Sequence, residues 1–182
     1  MTFSDAVQGW HDFYLTAGAA AATLVGLLFV GLSLHIRVVV SHHDVRSLAR
    51  ITLTDFVVVL LIALLLLAPA GAVGSVNTMG TWLVLVALVS VALTLRTAID
   101  GFRSRRAKAI GLRVLLARFG LSWTCYVGVA LMGVLMALGD FGHALSGLLA
   151  VVVLLLVVAV RNTWDLLVTV ADHSERRETG GR

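Results

Sequence analysis

Cysteine, proline and lysine each occur once in this 182-residue chain, as Cys125, Pro69 and Lys108, and charged residues make up only 13% of it. A lone cysteine excludes an internal disulfide and any cysteine-based metal cluster. Placed inside an apolar run, Cys125 reads as a small buried hydrophobe. One proline among long apolar runs excludes a transmembrane barrel, which is written in short alternating strands. The shortage of charge, against roughly 25% in soluble domains, excludes a water-soluble fold of this size. Catalytic signatures are missing too: there is no H-E-x-x-H, no Walker-type loop and no strand-turn-helix elbow. His42-His43-Asp44 lacks a third distal ligand and reads as a solvated loop. No enzyme activity, metal or cofactor is expected.

What is present is apolar: hydrophobic residues make up 59% of the chain, and the mean hydropathy is +1.00. Five runs approach or exceed the ~20 residues needed to cross ~30 Å of hydrocarbon. They fall at about 13–36, 51–73, 78–97, 119–138 and 144–164, with Pro69 set to kink or end the second near its outer face. The expected fold is all-α: a single transmembrane domain over residues 1–182 built as a bundle of five helices.

All 14 Lys and Arg residues fall on alternate connections: after the first span, after the third, and in the tail. The amino-terminal segment and the short turns "GSVNTMG" and "GDFGH" have none. The positive-inside rule then places the amino terminus outside and the carboxyl terminus in the cytoplasm. The same placement removes nucleic acid as a partner for this basic chain, because the arginines sit where anionic inner-leaflet lipids meet them. The stretch 101–118 carries Arg103, Arg105, Arg106, Lys108, Arg113 and Arg118. It is expected to form a basic interfacial segment or a helical extension of the fourth span, followed after residue 173 by a polar tail. The preponderance of Arg over Lys, with abundant Ala, Val, Leu and Gly, suggests a GC-rich bacterial genome and hence the bacterial inner membrane.

Two features stand out within the spans. In "YLTAGAAAATLVGLLFVGLSLHIR", Gly18, Ala22 and Gly26 follow one another at i+4, and Ser33 shares their side. Such small-xxx-small faces let two helix backbones approach closely in lipid, where no hydrophobic effect joins helices. The partner is either another helix of this chain or a second copy around an oligomer axis. Smaller versions recur at Ala87, Ser90 and Thr94, and at Ala130, Gly133 and Ala137. The second feature is Asp55, a carboxylate inside "ITLTDFVVVLLIALLLL". Intramembrane carboxylates usually pair. A salt bridge to a neighbouring arginine is one reading; an ion- or proton-handling site with His35 as partner is the other.

The string "WHDFYLTAGAAAATLVGLLFVGLSLH", Trp10 to His35, resembles the start of a family of small bacterial multi-pass proteins. Some of these are labelled modulators of the membrane-bound AAA protease. The better-understood modulators have seven spans against the five counted here, and no site residue is carried over. Two functions follow as expectations. One is a homo-oligomeric conduit for small ions with the first span near the axis. The other is a regulatory or scaffolding subunit whose basic loop and tail engage a membrane or cytoplasmic partner such as a membrane protease.

Overall fold

The computed structural model describes the backbone of residues 3–41, 43–69, 76–105 and 112–180, and side chains at 10–37, 39–41, 45–69, 77–99 and 120–171. Among these residues there are helices and no strand: α1 (Phe3–Leu34), α2 (Ile36–Ser41), α3 (His43–Leu67), α4 (Val76–Arg105), α5 (Leu112–Ala137) and α6 (Phe141–Gly180). Five stretches are long and apolar enough to cross a bilayer: Trp10–Leu34, Val45–Leu67, Asn77–Ile99, Gly120–Ala137 and Phe141–Ala171. This is the architecture of a multi-pass membrane protein.

The boundaries differ from the expected ones for local reasons. The second span, α3, ends at Leu67 rather than near residue 73, because the residue before Pro69 is driven out of the α region. Its other end reaches back to His43, past Arg46 and Arg50. The last helix begins three residues early, at Phe141, and its backbone continues through Gly180, so most of the expected polar tail is helical. Of the basic stretch 101–118, Arg103 and Arg105 lie on the end of α4, and Arg113 and Arg118 on the start of α5. Arg106 and Lys108 lie outside the described residues.

The α5–α6 connection shows how local chemistry sets a hairpin. Gly139 takes a φ of +92°, a region that costs a Cβ-bearing residue about 1–2 kcal/mol. Its N–H donates to the Met136 carbonyl and that of Asp140 to the Leu135 carbonyl, both at 3.1 Å, which is a Schellman motif. Asp140 then caps α6, its Oδ1 accepting from the His143 N–H at 3.4 Å.

Helices α3, α4, α5 and α6 form a ring in which each packs on the next and α6 returns to α3; α1 lies outside it, mainly against α3. Small residues govern the closest contacts. A Cβ on Gly80 of α4 would stand 2.5 Å from the Gly133 carbonyl oxygen of α5. The backbones of α4 and α5 therefore touch, with Ala137 beside them. The Ala87, Ser90 and Thr94 face of α4 is also buried within the chain. Outward surfaces are leucine and valine, including Leu27, Leu88, Val127 and Val157, each more than half exposed. Continuous apolar surface of this kind is a liability in water and is the requirement in lipid. Exposed hydroxyls on it, such as Thr23, Thr81, Thr124 and Ser146, donate to carbonyls one turn back, which satisfies their protons without water.

Candidate intramembrane polar site

Along α3, positions 48, 52, 55, 59, 62 and 66 repeat at helical spacing and all are buried. Five are apolar or carry a hydroxyl; the sixth is Asp55, at 0% exposure. It lies five residues, about 7.5 Å along the axis, deeper than Arg50. Tyr126 Oη donates to its Oδ1 at 2.6 Å. Ser122 Oγ donates to Oδ2 at 3.0 Å, and Asn162 Nδ2 to the same oxygen at 3.3 Å. Ser122 and Tyr126 stand one turn apart on α5, and Asn162 comes from α6, so one carboxylate ties three helices. Thr52, one turn from Asp55 and also fully buried, donates to the Leu48 carbonyl at 2.9 Å.

The polar groups divide the apolar core. On one side lies the main cluster, which includes Phe56, Val59, Val129 and Leu155. On the other lies a smaller one with Leu48, Val45 and Leu166, beside Ile51 and Ala98 capped by Trp123. Trp123 in turn donates its indole N–H to Thr94 Oγ1 of α4 at 3.0 Å. All four ring helices thus meet in hydrogen bonds near one depth.

The expected partners of Asp55 are not those found. No arginine or histidine among the described residues lies within ion-pair distance of it; the described ion pairs are His11–Asp12 and His143–Asp140. Arg50 and Arg96 are exposed. His35, expected beside Asp55, is exposed at the break between α1 and α2, with its Nδ1 3.3 Å from the Gly31 carbonyl. The reason is geometric. The α3 face carrying Asp55 points into the ring, whereas α1 packs on the ring's outside.

The small-residue face of α1 is divided between two surroundings. Gly18 packs on α3, where an added Cβ would meet Ala63 Cβ at 2.8 Å. Ala22, Gly26 and Ser33 are exposed, and nothing lies within 4 Å of a Cβ built on Gly26. Ser33 Oγ donates to the Phe29 carbonyl at 2.7 Å. Gly18 therefore belongs to packing within the chain, and the other three turn outward.

Ser122, Tyr126 and Asn162 were not singled out from the sequence. A signal was there for two of them: Ser122 and Tyr126 share a face at i+4 within an apolar run, whereas Asn162 follows Arg161 among polar residues. Among the described residues no group of three His, Cys, Asp or Glu side chains is arranged to hold a metal ion. No family model matches the chain, and no curated protein or solved structure matches it either.

Proposed function

We propose that the protein is a multi-pass protein of the bacterial plasma membrane that passes protons or small monovalent cations, with Asp55 as the charge-bearing group. One observation carries this reading: a fully buried carboxylate held by three uncharged donors and by no countercharge among the described residues. Even after relaxation, burying an ion costs several kcal/mol. A neutral amide would link the same helices without that penalty. Three donors offset part of the cost, and with no countercharge beside it the carboxyl can exchange a proton or meet a cation at membrane depth.

The outward half of the α1 face, Ala22, Gly26 and Ser33, suits self-association with a second copy. In this reading the copies meet at α1, and Asp55 lies inside each ring, one helix away from that axis. The arginine-bearing end faces the cytoplasm.

The test is flux into liposomes loaded with a pH-sensitive dye, comparing wild type with Asp55→Asn. Wild-type vesicles should acidify or alkalinise with an imposed gradient well above protein-free vesicles, and Asp55→Asn should reduce the rate at least tenfold. Equal rates for the two proteins would remove Asp55 from the path. For self-association, single cysteines at Ala22 or Gly26 in a Cys125→Ser background should form disulfide-linked dimers, and a cysteine at Gly18 should not.

A further inference from the structure

We infer that the seam between α3 and α4 is a binding groove for a single anionic phospholipid, with Arg50 and Arg96 holding its phosphate. The two helices do not meet as α4 and α5 do. Where glycines bring those backbones together, α3 presents Leu53, Val57, Leu61 and Leu65 at i+4 spacing, facing long side chains of α4. An apolar groove of about 520 Å³ remains between them, ending at Trp82. It continues into a second cavity of about 380 Å³ lined by Arg50, Arg96 and Thr97. Leu53, Thr54 and Leu93 belong to both, so the two are one groove.

Size selects the occupant. From Leu53 to Leu65 the apolar part is about 18 Å long, against about 15 Å for the hydrocarbon half of one leaflet. The groove is open along one side to the surrounding lipid, and an extended acyl chain of that length lies in it.

Charge selects the head group. Both guanidinium groups stand at the same end, are exposed, and have no acidic partner among the described residues. Guanidinium forks suit phosphate oxygens, and cationic residues at this depth attract anionic lipid. The nearby hydroxyls do not add to head-group recognition. Thr54 donates to the Arg50 carbonyl at 2.9 Å and Thr97 to the Leu93 carbonyl at 3.0 Å. Selectivity therefore rests on charge: phosphatidylglycerol should bind in preference to phosphatidylcholine.

The experiment incubates the full-length protein in mild detergent with equimolar phosphatidylglycerol and phosphatidylcholine of identical chains. Lipid retained per chain is read by native mass spectrometry. Wild type should keep one phosphatidylglycerol in about tenfold preference. Arg50→Gln/Arg96→Gln should bring the ratio close to one. Val57→Phe/Val89→Phe, which narrows the groove and leaves the arginines, should lower retention of both lipids. A wild-type ratio near one overturns the inference without recourse to any variant. So does an unchanged ratio in the arginine variant, or unchanged retention in the narrowed groove. A narrowed groove that instead alters the oligomeric state would make a second copy the occupant and also overturn it.

Discussion

Helices α1 and α3 have similar apolar lengths and lie side by side, yet half of the membrane window of α3 is buried and only 22% of that of α1. The difference decides what each can carry. On α3, every turn meets a neighbour, so a carboxylate finds donors on α5 and α6. On α1, one face meets α3 and, in the later turns, α6, while the rest is exposed. Polar atoms there have only their own helix to bond to, as Thr23 and Ser33 do. Site chemistry belongs to the ring, and the outer helix supplies surface. Glycines show the same division: Gly80 and Gly133 lie in backbone contact, and Gly26 has open space around it.

The sharpest way to break that comparison is to add one methyl group in each place. Gly80→Ala sets a Cβ 2.5 Å from a backbone oxygen and 2.9 Å from the Ala137 nitrogen, neither of which can rotate away. Overpacking of that kind costs about 1–3 kcal/mol, and the backbone partner puts this site at the top of the range. Gly26→Ala meets nothing within 4 Å, and alanine is the better helix former by up to about 1 kcal/mol. Unfolding in detergent micelles should show a clear loss for the first and none for the second. Equal losses would mean that α1 is as tightly packed as the ring.

Two buried tyrosines sharpen it further. Tyr126 donates a hydrogen bond from its hydroxyl to Asp55. Tyr14, 1% exposed on α1, packs edge-on to Phe13 at 5.0 Å between centroids, and its hydroxyl has no partner among the described residues. Tyr126→Phe should cost about 1–2 kcal/mol, toward the upper end for a hydrogen bond within a membrane protein. Tyr14→Phe removes a buried polar atom that bonds to nothing and should be neutral or stabilising by up to about 1 kcal/mol. The same unfolding measurement checks both. A loss at Tyr14 as large as that at Tyr126 would show that its hydroxyl has a partner after all.

The span count was legible because it rests on apolar length, which no tertiary contact can change. Asp55 stood out because a carboxylate in "LTDFVVV" contradicts its surroundings. Its partners did not, because pairing α3 with α5 and α6 requires the register of three helices, and sequence spacing fixes faces within one helix only. Arginines expected at the same depth on neighbouring spans suggested an ion pair; among the described residues, the inward turn of the Asp55 face keeps Arg50 and Arg96 away from it. For the same reason the Gly18, Ala22 and Gly26 series read as one face and is divided in space between α3 and the exterior. The α3–α4 groove was invisible too, since it is a gap between two stripes that each look like ordinary core.

Connections repeat the contrast at a smaller scale. Between α1 and α2 the chain breaks at His35, whose N–H reaches back only to Leu32. Between α5 and α6, by contrast, Asp140 accepts from both the backbone N–H and the ring of His143, the ring nitrogen lying 3.0 Å from each carboxylate oxygen. These bonds from His143, the side-chain one foremost, hold the Asp140 carboxyl below its ordinary value of 3.8. A carboxyl lowered on folding stabilises the fold above the unfolded value and loses that contribution as pH falls through the folded one. Wild type should therefore lose a small increment of stability as pH falls below about 4 that Asp140→Asn does not lose, since asparagine caps equally well and cannot titrate there. Because the group is fully exposed, solvent screens the interaction and the increment is the smallest of those predicted. Denaturation midpoints of the two proteins, followed across that window, should diverge only on the acid side; parallel curves would mean that the His143 contacts do not act on the titrating form.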